Sequence, residues 1–298
     1  MNRYQRRDFL KYSAMASMAF SLPLPRMKST GPPIIKKALM FGMIKENLSI
    51  MDKFKLVKDL GFDGIELDSP NDLNEREVLE ARDKTGIELP GVVNSIHWKS
   101  PLSDPDPAVR ATCVESMITA LNDCKKYGGT SVLLVPAVVN DKVSYAEAYE
   151  RSQAEIKKLL PVAEKTGVKI AIENVWNNFL LSPLEAARYI DDFNHPMIGW
   201  HFDIGNVVRY GWPEQWINTL GKRILKLHIK DYSRKMANDL GVWKGFDAEL
   251  GEGDANYSAV NKALKEVGYK GWGSAEVNGG DRVRLKEISE RMDRCYAA

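Results

Sequence analysis

Eight short apolar runs alternate with longer amphipathic segments from residue 38 to the end of the chain, and this alternation constrains the fold most strongly. The runs are rich in Val, Ile and Leu, and they are too short to be buried helices. Glycines close most of the amphipathic segments just before the next run begins, as they do at helix C-termini. Such an alternation indicates parallel strands covered by helices.

We predict strands over 39–44, 64–67, 89–94, 131–136, 169–173, 199–203, 225–229 and 273–277. Eight strand-and-helix units over about 260 residues match a single-domain (β/α)8 TIM barrel. An open, doubly wound sheet is the alternative. No Gly-x-Gly-x-x-Gly follows the first strand, however, and the glycine-rich segment 251–254 contains acidic residues, which identifies it as a loop rather than a phosphate site.

The amino terminus differs from the rest of the chain. Residues 1–28 combine the pair Arg6-Arg7 with a short uncharged stretch and resemble a twin-arginine export signal. We therefore expect a removable leader over 1–28, a linker over 29–37 and the catalytic barrel over 38–298, with a periplasmic location. An unstructured basic tail on a cytoplasmic protein is the alternative.

Charge and cysteine content exclude several classes of partner. The chain carries a net charge of +2, and loss of the leader with its six basic residues and one acidic residue leaves −3. A mildly acidic body argues against nucleic acid as a partner. No cysteine lies near the leader, so a lipid anchor in the membrane is not expected. A homo-oligomer is compatible with the sequence.

Ionisable residues stand at the carboxyl ends of four consecutive predicted strands: Glu173, Asp203, His228 and Glu276. Because active sites of these barrels lie at that end, the four side chains are expected to converge. Three carboxylates in a small volume repel one another unless a cation is bound between them. Their oxygen-rich set favours Mn²⁺, with Mg²⁺, Co²⁺ or Zn²⁺ as alternatives.

Several motifs together resemble the xylose-isomerase-like barrel superfamily, in particular its sugar and sugar-phosphate isomerase/epimerase branch. The branch includes ketose 3-epimerases and pentulose-5-phosphate 3-epimerases. The matching motifs are Gly-Phe-Asp-Gly-Ile-Glu-Leu at 61–67, Ile-Glu-Asn at 172–174, His-Phe-Asp-Ile-Gly-Asn at 201–206, Lys-Leu-His-Ile-Lys-Asp at 226–231, Ala-Glu-Val-Asn at 275–278 and Gly-Glu-Gly-Asp at 251–254.

The resemblance implies that the four residues at the strand ends bind a metal ion and that Glu173 and Glu276 also act as the acid/base pair. It implies that Arg234 contacts substrate. Two positions depart from the ketose 3-epimerase pattern, because Asn206 replaces a His and Phe179 replaces a Glu.

Other polar and aromatic residues near the predicted rim are candidates for binding the sugar: Glu66, His97, Trp98, Trp176, Asn206 and Lys230. Aromatic rings stack on sugar faces, although the same residues also serve packing. For Lys230, the expected partners are an anionic substrate, Asp231 or Glu66.

The expected function is that of a metal-dependent isomerase or epimerase. It would remove a proton next to a carbonyl through a metal-stabilised enediolate of an unphosphorylated ketose or keto-sugar. A lyase or dehydratase acting on a keto-glycoside through the same enolate is an alternative, as is a non-catalytic carbohydrate-binding barrel. A histidine-rich, multi-zinc phosphodiesterase is disfavoured because the chain has only four His.

Overall fold

The computed structural model describes residues 35–298, which form a closed barrel of eight parallel strands in sequence order. The predicted (β/α)8 fold is confirmed, and pairing of the last strand with the first closes the barrel. The strands are β1 (Ile35–Met40), β2 (Gly64–Ser69), β3 (Gly91–Asn94), β4 (Ser131–Leu134), β5 (Lys169–Glu173), β6 (Ile198–Asp203), β7 (Ile224–Ile229) and β8 (Gly271–Ala275).

Helices connect the strands and cover the outside of the barrel. The α-helices are Ile50–Asp59, Glu75–Thr85, Pro107–Tyr127, Tyr145–Thr166, Pro183–Asp191, Ile204–Val208, Pro213–Leu220, Arg234–Leu240, Tyr257–Val267 and Arg282–Ala297. Short 3-10 helices span Phe41–Met43, Gly221–Arg223 and Val242–Asp247.

Local sequence fixes where many of these helices begin and end. The helix Tyr145–Thr166 begins with a capping box, in which Ser144 and Glu147 satisfy each other's backbone N–H groups. The same helix ends at Gly167, whose φ of 74° is the left-handed conformation that favours glycine. The predicted glycine at this helix end is confirmed.

The first strand differs from the prediction. It begins at Ile35, inside the segment 29–37 that was expected to be a linker, and it ends at Met40 rather than at residue 44. The lysines at positions 36 and 37 do not prevent strand formation because their ammonium groups contact other side chains of the protein. Lys36 Nζ lies 5.0 Å from the ring of Trp272, and Lys37 Nζ lies 2.7 Å from Asp293 Oδ1.

The last strand lies correspondingly earlier than predicted. β8 ends at Ala275 instead of residue 277, so Glu276 follows the strand rather than belonging to it. The register explains the shift, because Ile35 pairs with Gly271 and Leu39 pairs with Ala275. Glu276 nevertheless remains tied to the sheet, since its backbone N–H donates to Ile229 O at 3.2 Å.

The expected leader lies outside the described residues. Within residues 35–298, every helix is too short or too polar to cross a lipid bilayer. The three cysteines of this part, Cys113, Cys124 and Cys295, are buried free thiols.

Candidate metal centre and sugar-binding cavity

A cavity of about 520 Å³ opens at the carboxyl ends of the strands. This is the end at which barrels of this class bind their ligands. The cavity is lined by Met40, Asp68, Val93, Asn94, Ser95, His97, Trp98, Glu173, Val175, Trp176, Asn206, His228, Lys230, Trp243, Phe246 and Glu276.

The four residues predicted as metal ligands converge: Glu173, His228 and Glu276 line the cavity, and Asp203 is buried next to them. Glu173, Asp203, His228 and Glu276 each offer one ligand atom, and all four atoms lie within 4.8 Å of one another. His228 Nδ1 lies 2.8 Å from Glu173 Oε1 and 3.5 Å from Glu276 Oε2. Nδ1 is therefore the ring nitrogen that faces the carboxylates of Glu173 and Glu276.

Asp203 combines a structural role with a free carboxylate oxygen. Its Oδ1 accepts the backbone N–H of Asn206 at 2.7 Å and caps the short helix Ile204–Val208. Its Oδ2 is buried and has no hydrogen-bond partner, although Lys230 Nζ lies 3.2 Å away. A fully buried carboxylate oxygen without a hydrogen bond is costly unless a cation binds it.

Asn174 holds β5 and β6 together next to this carboxylate. Its Oδ1 accepts the backbone N–H of Asp203 and the indole N–H of Trp200, both at 3.0 Å. Its side-chain amide donates to Asp203 O at 2.8 Å, and its backbone O accepts from Asn206 Nδ2 at 2.9 Å. At the end of β5, Glu173 is thus one candidate ligand, and Asn174 fixes the backbone of the second candidate ligand, Asp203.

Lys230 contacts two of the four candidate ligands. Its Nζ lies 2.5 Å from Glu276 Oε2 and 3.2 Å from Asp203 Oδ2. The expected pairing of Lys230 with Asp231 or Glu66 is wrong. Asp231 instead accepts backbone N–H groups of residues 232, 251, 253 and 255, and Glu66 lies beside Lys226.

The charges of the site fit a divalent cation. Burial opposes protonation of His228, but the charges of Glu276 and Glu173 outweigh it and raise the pKa of His228 well above its usual value, so without metal the ring proton offsets part of the carboxylate charge. Once a metal ion replaces that proton, the carboxylates of Glu66, Glu173, Asp203 and Glu276 would outnumber the ammonium groups of Lys226 and Lys230 by two charges. The donors are hard oxygens and one imidazole, which Mn²⁺ and Mg²⁺ accept. The residues present therefore fit the expected metal ion.

The two glutamates have opposite electrostatic environments. Burial raises the pKa of Glu173 to about 7, against the opposing effect of His228. Partial burial would raise the pKa of Glu276 as well, but the positive charges of Lys230 and His228 outweigh it and lower that pKa to about 2. The carboxylates of Glu173 and Glu276 therefore differ in pKa although they belong to the same site.

Glu66 does not line the cavity, contrary to the prediction that it binds substrate. Its side chain is fully buried, with Oε2 3.5 Å from His228 Nε2 and Oε1 3.9 Å from Lys226 Nζ. Its position in the middle of β2, rather than at the strand end, places it one layer below the cavity floor. His201 shares this layer, with its ring 4.2 Å from that of His228.

His97, Trp98, Trp176 and Asn206 lie where the sequence places them, in the cavity wall. His97 Nδ1 accepts the backbone N–H of Val135 at 3.2 Å, so the ring proton is on Nε2. Burial lowers the pKa of His97 to about 4, and the ring stays neutral near pH 7.

Arg234 is turned away from the cavity, and its predicted contact with substrate is not supported. Its guanidinium donates to Val208 O and Gly211 O, both at 2.8 Å, and stacks on Trp212 with its carbon 5.2 Å from the ring centre. The short helix Arg234–Leu240 begins at this residue. The Arg234 side chain binds carbonyls at the end of the helix Ile204–Val208 and in the loop that follows that helix.

Phe179, where ketose 3-epimerases have a Glu, is a packing residue. It is buried, with its ring centre 5.0 Å from Tyr145 and 5.6 Å from Tyr189. A carboxylate at this position would be buried among aromatic rings. Position 179 is therefore a packing position in this protein.

Eight residues of the cavity wall were not predicted as site residues: Met40, Asp68, Val93, Asn94, Ser95, Val175, Trp243 and Phe246. Asp68 follows Glu66 by two positions on β2, so strand alternation gave a signal for it. Trp243 and Phe246 are three residues apart on the 3-10 helix Val242–Asp247, a spacing that places them side by side. No periodic pattern in the sequence marks that helix.

The sequence matches the family model described as the xylose isomerase-like TIM barrel over residues 54–295. The chain belongs to this family. It is 27% identical over 255 residues to the L-ribulose-5-phosphate 3-epimerase UlaE of Shigella flexneri, covering 80% of this chain and 87% of that protein.

Solved structures share the fold. The 3-keto-D-glucoside 4-epimerase YcjR of E. coli superposes with a TM-score of 0.75 at 17% identity, covering 89% of this chain and 100% of that one. An L-ribulose 3-epimerase superposes with a TM-score of 0.74 at 16% identity, covering 89% and 95%. At these identities the likeness concerns the fold alone.

Proposed function

We propose that this protein is a divalent-metal-dependent isomerase or epimerase of an unphosphorylated ketose or keto-sugar. One observation carries the proposal: Glu173 and Glu276, from the ends of β5 and β8, approach the same nitrogen of His228 together with Asp203. The epimerase names of similar proteins, such as UlaE, agree with this reaction class.

The metal ion would be held by Glu173, Asp203, His228 and Glu276, and Mn²⁺ is the ion we favour. When bound, it supplies a positive charge that stabilises the negative charge developing on the carbonyl oxygen as the neighbouring proton leaves.

The proton transfers are assigned to the two glutamates. β5 and β8 lie three strands apart in the barrel, so Glu173 and Glu276 reach the cavity from different sides. One removes the proton from the carbon next to the carbonyl and the other returns a proton. Return to the opposite face of the same carbon inverts the centre, whereas return at the neighbouring carbon exchanges the carbonyl position.

In this proposal His97 binds the sugar and Lys230 acts on Glu276. The Nε2–H of His97 is a donor for a substrate hydroxyl or carbonyl oxygen, because its Nδ1 is already used by Val135. Lys230 keeps the carboxylate of Glu276 ionised and near the floor of the cavity.

The distribution of cations supports an unphosphorylated substrate. Among the described residues that line the cavity, Lys230 is the only lysine or arginine, and it contacts Asp203 and Glu276. Arg209 lies over the ring of Trp176 at 5.0 Å, and Arg234 donates to backbone carbonyls. A periplasmic location, which the twin-arginine motif favours, agrees with this choice because phosphorylated sugars are mostly held in the cytoplasm.

Hydrogen–deuterium exchange tests the function. Manganese-loaded protein is incubated in D₂O with free ketoses, 3-keto-sugars and pentulose phosphates, and loss of the proton next to the carbonyl is followed by NMR. We expect exchange of an unphosphorylated compound and a loss of at least about 10³-fold in Glu276→Gln. Exchange of pentulose phosphates alone, or wild-type exchange by Glu276→Gln, contradicts the proposal.

A further inference from the structure

Two exposed tryptophans stand at opposite sides of the cavity mouth. Trp98 is 53% exposed and follows β3, while Trp243 is 67% exposed and follows β7. β3 and β7 are four strands apart in the eight-stranded barrel, which places the two loops across the cavity from each other. Both side chains contribute to the cavity wall. Large apolar side chains left exposed around a cavity are typical of a ligand-binding surface.

Both tryptophans are supported by neighbouring rings. Trp98 meets the ring of His97 edge-on, with the ring centres 5.8 Å apart. Trp243 packs on Trp176 at 4.7 Å, and Trp176 is itself fixed by donating its indole N–H to Asn206 O at 2.8 Å. Supported rings present a surface with little conformational entropy to lose on binding.

The polar groups of the cavity lie at a different depth from these rings. Glu173, His228, Glu276 and Lys230 form the floor, with Asp203 buried beside them, whereas Trp98 and Trp243 are the exposed tryptophans of the mouth. A volume of about 520 Å³ is within the range for drug-sized ligands and exceeds what one hexose ring fills. Space therefore remains between the tryptophans when a single sugar ring occupies the floor.

We infer that the substrate is a glycoside, with its reacting keto-sugar ring on the floor and a second ring between Trp98 and Trp243. This inference rests on the proposed function. The second ring has a flat or apolar face that stacks on indole, as an aromatic aglycone or a second sugar does. A charged substituent is disfavoured there, because Arg209 and Arg234 are engaged with Trp176 and with backbone carbonyls.

Binding of unreactive glycosides tests the inference without requiring catalysis. The manganese-loaded full-length protein is titrated by calorimetry with methyl β-D-glucoside, phenyl β-D-glucoside and methyl β-cellobioside, none of which has a free carbonyl. We expect a two-ring ligand to bind at least about tenfold more tightly than the methyl glucoside. A preference for the phenyl glucoside identifies an aromatic aglycone, and a preference for the cellobioside identifies a second sugar.

The variants Trp98→Ala and Trp243→Ala should each reduce this preference, and the double variant should abolish it. Trp212→Ala is the matched control, since Trp212 is also 53% exposed but does not line the cavity. Equal or undetectable binding of all three ligands by the wild type, or a preference retained in the double variant, overturns the inference. A ligand preference without proton exchange would instead leave the subsite standing and remove the proposed reaction.

Discussion

The two ring nitrogens of His228 face different carboxylates. Nδ1 faces Glu173 and Glu276, and Nε2 faces Glu66 from the layer below. A carboxylate next to the second nitrogen of a ligating histidine holds the ring proton there and leaves the first nitrogen free to bind metal. We expect Glu66 to position His228 through its charge, since its Oε2 lies 3.5 Å from Nε2 without a hydrogen bond, and Lys226 balances that charge.

Replacing Glu66 by Gln is expected to weaken metal binding while preserving the fold. The amide keeps the shape of the side chain but removes the negative charge that stabilises the Nε2 proton of His228. We predict a loss of about 10- to 100-fold in Mn²⁺ affinity, measured by calorimetric titration of metal-stripped protein.

Asp68→Asn is the control for Glu66→Gln, because it removes a carboxylate from the same face of β2 without a contact to His228. It should leave Mn²⁺ affinity within about threefold of the wild type, consistent with the small effect of a partly exposed charge. Unchanged affinity in Glu66→Gln, or equal losses in both variants, would show that Glu66 does not position the histidine.

The sequence predicts the location of some side chains in the fold and not of others. The four candidate ligands were predictable because each lies at or just after a strand end, and barrel closure brings such ends together. The place of Glu66 was not predictable, since it depends on how the layers of the barrel interior stack. Arg234 shows the same limit, because nothing in its spacing from His228 indicates which way the side chain turns.

At the scale of elements, the loop between β7 and β8 is organised around one buried carboxylate. Asp231 Oδ2 accepts the backbone N–H groups of Gly251 and Gly253 at 2.9 and 3.1 Å, and Oδ1 accepts that of Ala255 at 3.1 Å. A Cβ at Gly253 would lie 2.2 Å from Asp231 Oδ1, so this close approach requires glycine. The glycine-rich segment thus binds the protein's own carboxylate, and its prediction as a loop is confirmed.

Asp231→Ala should destabilise the protein through this loop. The substitution leaves the backbone N–H groups of Tyr232, Gly251, Gly253 and Ala255 without this acceptor. The N–H groups of Tyr232 and Ala255 are buried, and each costs about 1–3 kcal/mol when unsatisfied. We predict a decrease of at least about 3 kcal/mol in the free energy of unfolding, measured by urea denaturation.

The surface variant Asp247→Ala is the matched control for Asp231→Ala. Asp247 pairs only with Lys244 in an exposed i,i+3 contact at 2.8 Å, and its loss should change stability by less than about 0.5 kcal/mol. Equal stability of the two variants would contradict the anchoring role of Asp231.

Element boundaries show why the sequence predicts strand order better than strand position. Apolar runs identified all eight strands, but β1 and β8 lie earlier than their runs. Their register is set by pairing with each other across the closure of the barrel, which no local pattern encodes. Long lysine side chains also allow a charged segment to form a strand, and this made residues 35–37 resemble a linker.

For the whole molecule, closure of the barrel converts residues distant in sequence into one site. Glu173 and Glu276 are separated by more than a hundred positions, yet both carboxylates lie within 3.5 Å of His228 Nδ1. Lys226, Lys230 and the proton of His228 offset the negative charge of these carboxylates, and we expect a divalent cation to replace that proton when it binds.

The rate of proton exchange as a function of added Mn²⁺ tests this dependence most directly. Metal-stripped protein is titrated with Mn²⁺ in D₂O while exchange of the proton next to the carbonyl is followed on the keto-sugar or keto-glycoside that exchanges fastest. We predict no exchange above background without metal, and a rate that saturates at one equivalent per chain. Exchange that is equally fast in the stripped protein would contradict a metal-centred site formed by Glu173, Asp203, His228 and Glu276.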